Sequence, residues 1–248
     1  MRLIFFGRGN VAQPSLQLLQ QQPWCSIVRV ISSGDFTDLP PADVGVVIDF
    51  GYKLPSTVLQ HFPHGIINLH PSLLPRWRGP SPIKSALLHD DTMTGISLML
   101  IDAGLDTGPI LAQQTVVIGE AETNLELEPR LATIGAQLLI QTLPRYVSGQ
   151  IKPVPQPDTG VTLSKLIQRA DGELTTQLSA RELWNRYRAF QPWPGVFFMA
   201  AGRRYKITGA RWETDRFVCT TIQPEGKRPL SLAEFKRGYP TVSFANIL

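Results

Sequence analysis

Apolar positions along the chain fall into two rhythms. Residues 2–7 ("RLIFFG"), 28–32 ("VRVIS"), 43–51 ("DVGVVIDFG") and 65–70 ("GIINLH") are short apolar runs without polar alternation, each ending near a glycine or a polar cluster. Runs of that kind predict strands covered on both faces, and therefore a parallel sheet. Between and after them the spacing lengthens to that of helices. Val11, Leu16 and Leu19 predict a helix over 10–22, with Asn10 and Gln13 placed as a capping box. Residues 56–62 and 82–90 predict two short helices, 94–102 and 108–118 two further strands, and 123–149 a long helix opened by the Thr123/Glu126 box and closed at Gly149.

Residues 151–160 ("IKPVPQPDTG") carry prolines at alternate positions and predict a stiff connector between domains. A helix with a Ser179/Glu182 box follows, and 203–213, 216–223 and 228–235 read as short strands of a small β module. The expected division is a catalytic domain over 1–160, a helical connection packing on it over 161–201 and a small basic β module over 202–248. The fold class is α/β, with a mostly parallel, Rossmann-like sheet ahead of that module.

Composition narrows the classes. Hydrophobic residues make up 43% and charged residues 18% of 248, ordinary for a globular protein. No run is long enough to cross a bilayer, and glycines at 7 and 9 interrupt any secretory core at the N-terminus, so a cytoplasmic location is expected. Cys25 and Cys219 lie far apart without ligand spacing, which argues against a disulfide framework and against a metal site. The net charge of +4 conceals an asymmetry: 1–150 has nine Lys and Arg against twelve Asp and Glu, whereas 151–248 has fifteen against eight. The basic part is either a solvated face or a surface for a polyanion such as RNA.

Two stretches carry candidate chemistry. "GRGNVA" (7–12) matches the glycine-rich turn of dinucleotide-binding folds, with Asp35 after the second strand where a ribose-binding acid belongs; yet 32–43 contains no crossover helix. The second stretch begins with Asn68 and His70, which share one face of a strand because side chains alternate with period two. Asp106 lies in the glycine-punctuated loop after the next strand, and a parallel neighbour would bring that loop alongside His70. Together they suit attack on a carbonyl: Asn68 donates to the oxyanion, His70 donates or relays a proton, and Asp106 orients His70 and raises its pKa. Taken singly, each also has a structural reading: a tied strand end, a satisfied core histidine, a braced loop.

The wider pattern around these residues is Asn68-x-His70-Pro71-Ser72-Leu73-Leu74-Pro75, then Arg78-Gly79, then Asp102-x-Gly104-x-Asp106-Thr107-Gly108. It resembles the signature of the folate-dependent formyltransferases, which move a formyl group from 10-formyltetrahydrofolate to an amine. In that family the residues matching Asn68, His70 and Asp106 are catalytic. The resemblance also implies a folate pocket lined by Tyr52, Lys53, Leu54, Leu59, Asp102, Ala103, Gly104 and Leu105. "PRWRGPSPI" and "RAFQPWPGVFF" are similar to the branch that formylates methionyl-tRNA, which implies tRNA as partner and a C-terminal OB-like module. Candidate substrate or RNA contacts are Ser72, Arg76, Arg78, Arg203, Arg204 and Lys206; Arg76 and Arg78 either reach phosphate or pin their loop. Relative to that branch, the segment after the second strand is short and lacks a basic loop, and the C-terminal module is abbreviated. The expected activity is formyl transfer to methionyl-tRNA. Rival readings are a formyltransferase for a nucleotide-linked amino sugar, an NAD(P)-dependent oxidoreductase and a non-catalytic RNA-binding protein.

Overall fold

A computed structural model describes residues 1–244 and divides into two compact units. The first comprises Met1–Pro82, Met93–Val117 and Glu128–Ser164; the second comprises Ile83–Thr92, Ile118–Leu127 and the chain from Lys165 onward. In chain order the elements begin with β1 (Arg2–Gly7), α1 (Gly9–Gln20), β2 (Ser26–Ile31), β3 (Val44–Ile48), α2 (Ser56–Leu59), β4 (Ile66–His70) and α3 (Pro82–Leu88). β5 (Met93–Leu100), β6 (Ile110–Val117) and α4 (Asn124–Val147) follow.

The first unit is built on a six-stranded sheet in the order β2-β1-β3-β4-β5-β6. The strands from β2 through β4 pair in parallel, as the uninterrupted apolar runs predict: every residue of β3 and all but the first of β1 are buried. Ile4, Phe6, Val47, Phe50, Leu54, Val58, Phe62 and Ile66 form one core cluster, and Phe6 meets the edges of Phe50 and Phe62 at centroid distances of 5.7 and 6.1 Å. The direction of β5 departs from the expectation. It runs antiparallel to β4, with Ile67 opposite Leu100 and His70 opposite Ser97, and β6 runs antiparallel to β5. The chain leaving β5 therefore starts at the amino end of β4, not at the end that carries His70.

α1 starts at Gly9, one residue before the expected cap, with Arg8 in the cap position and no side-chain cap bond. The box at α4 does form: Thr123 donates its N–H and hydroxyl to Glu126 Oε2 at 2.8 and 2.9 Å. Leu131, Ala132, Ala136, Leu139 and Leu143 give α4 a buried stripe. Gly135 in that stripe meets Leu69, and a Cβ there would fall 2.7 Å from Leu69 Cδ1. Leu69 thus faces α4, which turns its neighbours Asn68 and His70 to the other face of the sheet.

The second unit holds α5 (Ala180–Ala189) and an antiparallel sheet of β7 (Val196–Ala200), β8 (Arg203–Glu213), β9 (Arg216–Pro224) and β10 (Leu230–Ser231), closed by α6 (Leu232–Gly238). Ser179 caps α5 through the box with Glu182. Thr214 and Asp215, both at positive φ, make the two-residue turn between β8 and β9. The sheet begins at Val196, ahead of the expected module start at 202. The stretch 228–235, read as a strand, is a two-residue strand followed by a helix, because Ser231 and Glu234 form a capping box. Among the described residues the four strands pair in a line, β10-β9-β8-β7, and not as a closed barrel. Phe198 stacks on Tyr205, and Phe235 meets Tyr205 edge-on, to fill its core.

Candidate active site

His70, at the end of β4, is only 4% exposed. Its Nε2 lies 2.9 Å from the carbonyl of Trp77 and its Nδ1 lies 3.6 Å from Asp106 Oδ2. A carbonyl only accepts, so Nε2 carries the proton and neutral His70 presents a bare Nδ1 towards Asp106. Burial pushes the His70 pKa below 6.5 and outweighs the opposing pull of the Asp106 carboxylate and the Trp77 bond. Asp106 does raise it, as the sequence led us to expect, but desolvation is the larger effect and sets the net direction. Asn68 is half-buried, and its amide has no side-chain hydrogen bond among the described residues.

Asp106 reaches this place by a route that strand order alone does not give. The loop after β5 turns back, and Asp106 itself sits at φ 52°, a left-handed conformation uncommon outside glycine. Its Oδ2 accepts the Gly79 N–H at 2.8 Å. Its carbonyl, and that of Gly108, accept from Gln156 Nε2 at 2.8 Å each. Arg78 donates through Nε and Nη2 to Gln156 Oε1 at 3.0 and 2.8 Å, so its side chain pins the loop.

The supposed connector 151–160 is consequently a strap. Val154 exchanges two backbone bonds of 2.8 Å with Ile110, and Thr162 accepts the Trp77 N–H on its hydroxyl at 2.9 Å and the Arg78 N–H on its carbonyl at 2.9 Å. The reading of the sequence missed Gln156 and Thr162. The one local cue was a single amide between prolines 155 and 157, which does not say what that amide holds.

The other expected site residues divide. Ser72 is buried, and its hydroxyl is taken by the Arg76 carbonyl at 2.6 Å, so it braces the loop and does not face a substrate. The Arg76 guanidinium lies over the Trp77 ring at 4.3 Å. Leu54 belongs to the core cluster, with Leu59 and Ile101 packed against it, which puts the 50–59 segment beside the start of the Asp106 loop. Tyr52 and Lys53 are exposed, as are Asp102, Ala103, Gly104 and Leu105, the last at 62%. Asp102 braces its own turn, accepting from Gly104 N–H and Thr107 Oγ1. In the second unit Arg204 and Lys206 share one face of β8 while Arg203 takes the other. Arg204, paired to Glu225 at 3.2 Å, and Lys206 line a cavity of about 230 Å³ with Arg169, Phe197 and Pro224. Arg169 and Lys206 have no acidic partner among the described residues. The dinucleotide features are absorbed locally: the Arg8 guanidinium lies 5.3 Å from the Tyr52 ring, and Asp35 accepts from the N–H and hydroxyl of Thr37.

Comparison with known proteins finds relatives of the chain as a whole. The family described as "Formyl transferase" matches residues 34–143, and "Formyl transferase, C-terminal domain" matches 166–219. A methionyl-tRNA formyltransferase of Myxococcus xanthus is 41% identical over 219 residues, covering 79% of this chain and 70% of the relative. The methionyl-tRNA formyltransferase structure from Clostridium thermocellum superposes with a TM-score of 0.69 at 15% identity, over 90% of this chain and 97% of that one. An N-formyltransferase from Helicobacter canadensis in complex with folinic acid and dTDP-3-aminofucose gives 0.68 at 16% identity, over 92% and 98%, a likeness of fold. The oxidoreductase reading is overturned by these matches. On the strength of the identity and coverage, the chain belongs to the methionyl-tRNA formyltransferase family.

Proposed function

We propose that this protein transfers the formyl group of 10-formyltetrahydrofolate to the α-amino group of methionyl-tRNA, in the cytoplasm, with Asn68, His70 and Asp106 as its reacting groups. The observation that carries the reading is the His70–Asp106 contact of 3.6 Å beside an Asn68 amide left without a side-chain hydrogen bond among the described residues. The amine attacks the formyl carbon, and its lone pair forms the new C–N bond as the carbonyl π electrons move to oxygen. Asn68 donates to that oxygen, a contact of the kind worth about 3–4 kcal/mol in a site shielded from water. His70 Nδ1 takes the proton from the attacking nitrogen, and the Asp106 carboxylate steadies the imidazolium so formed. When the tetrahedral species collapses, the C–N10 bond breaks and the proton passes from His70 to N10.

The co-substrate's flat ring system fits the exposed 102–105 loop and the adjoining 50–59 segment, where backbone groups and Tyr52 are accessible. For the RNA, Arg169, Arg204 and Lys206 around Phe197 supply the positive charge and an aromatic face. Arg203 lies on the opposite face of β8 and is left out of that contact. Acceptor competition tests the whole reading: purified protein with 10-formyltetrahydrofolate is offered methionyl-tRNA and nucleotide-linked amino sugars, and formylation of each is followed. Preference for methionyl-tRNA is expected. Turnover only on a sugar would keep the chemistry and remove the acceptor.

A further inference from the structure

We infer that Gln156 is a positioning residue for formyl transfer: from the proline-bounded strap it fixes the main chain of Asp106 so that the carboxylate stands against His70. The inference rests on the roles given above to His70 and Asp106, and it concerns a residue that itself touches no reacting atom.

A primary amide has two N–H donors and two acceptor lone pairs. Gln156 uses all of them, donating to the carbonyls of Asp106 and Gly108 at 2.8 Å and accepting twice from Arg78 at 3.0 and 2.8 Å. Gln156 is half-buried while Pro153, Val154, Pro155 and Pro157 beside it are exposed, so it is the one side chain of this run turned inward. Asp106 turns its loop at φ 52°, a conformation open to aspartate, and hydrogen bonds then fix both its carboxylate and its main chain. The Gly79 N–H fixes the carboxylate at 2.8 Å, and Gln156 fixes the backbone behind it.

The same strap also holds the other partner of the histidine. Thr162 receives the Trp77 N–H, and the Trp77 carbonyl sets the His70 tautomer. Alternate prolines suit this task, since they stiffen the backbone at positions whose N–H is not required, while Val154 between them keeps its N–H for Ile110. A rigid strap holds an aligned pair better than a flexible one, and a misplacement near 1 Å costs on the order of 10²-fold in rate.

Gln156→Glu separates positioning of Asp106 from a merely structural grip on Arg78. Glutamate strengthens the pairing with Arg78 but offers carboxylate oxygens, without N–H, to two carbonyl oxygens. Positioning predicts that Gln156→Glu and Gln156→Ala both lower kcat by roughly 10- to 100-fold with little change in KM for folate. Recovery of activity in Gln156→Glu would overturn the inference. In an Asp106→Ala background, Gln156→Ala should add almost nothing to the loss of kcat; full additivity would also overturn it. A second arm does not depend on turnover. The His70 imidazole is titrated by NMR in the wild type and in Gln156→Ala, with thermal unfolding as a check on folding. The pKa of His70 should fall further in the variant, because the carboxylate that raises it is no longer held in place; an unmoved pKa in a folded variant removes the assignment. If the unsubstituted protein formylates no methionyl-tRNA, the proposed function fails, and the titration still decides the role of Gln156.

Discussion

Residues 66–80 and residues 151–164 are both short, proline-bearing and glycine-punctuated, yet they serve opposite ends of the same site. The first contributes Asn68 and His70 from a strand and then Trp77 and Gly79 from its loop. The second contributes no reacting group; it holds Trp77 through Thr162 and Asp106 through Gln156. Their difference teaches that a proline-rich run is a connector or a brace according to what its non-proline residues touch. A residue such as Gln156, whose partners lie 50 and 78 positions earlier in the chain, gives no local sign of which it is.

The comparison breaks most readily at His70 and Asp106, the residues proposed to react. His70→Ala and Asp106→Ala should each lower kcat by about 10²–10⁴-fold while thermal unfolding stays cooperative; near-normal single-turnover rates in either would place the chemistry elsewhere. A smaller change is expected from Thr162→Val, which removes the hydroxyl that accepts the Trp77 N–H. That costs about 1–3 kcal/mol by urea denaturation, with a rate loss well short of the His70 variant, and an unchanged midpoint would deny the strap its hold.

Acidity sharpens the contrast further. The unfolded chain protonates His70 near 6.5, and burial holds the folded value lower. The unfolded state therefore binds more protons as pH falls through 6.5, so the wild type should lose stability across that interval down to the folded pKa. His70→Ala should lack this component, and unfolding curves between pH 8 and pH 5 compare the two; the opposite sign would mean that the carboxylate outweighs burial. The weakest effect on catalysis is expected in the second unit. Replacing Arg169, Arg204 and Lys206 together should flatten the salt dependence of tRNA binding by about 0.7–0.9 per lost phosphate contact and spare kcat, whereas Arg203→Ala alone should leave the slope as it was.

Much of this was legible in the chain. Uninterrupted apolar runs identify β1, β3 and β4, period two puts Asn68 and His70 on one face, and the serine and threonine boxes mark the starts of α4 and α5. The Ser231/Glu234 box is the same class of signal, and it marks α6 where the apolar pattern predicts a strand. These features depend on neighbours within a few residues, where backbone geometry and hydrogen bonding act directly. The antiparallel direction of β5, the lowered pKa of His70 and the work of Gln156 depend on groups that meet only after the chain has folded. The sequence by itself thus determined the strands and helix starts, and that Asn68 and His70 share one face of β4. Tertiary structure decided how Asp106 reaches His70, which nitrogen of the imidazole is free and what holds the two in register, because desolvation and long-range hydrogen bonds are properties of the packed interior.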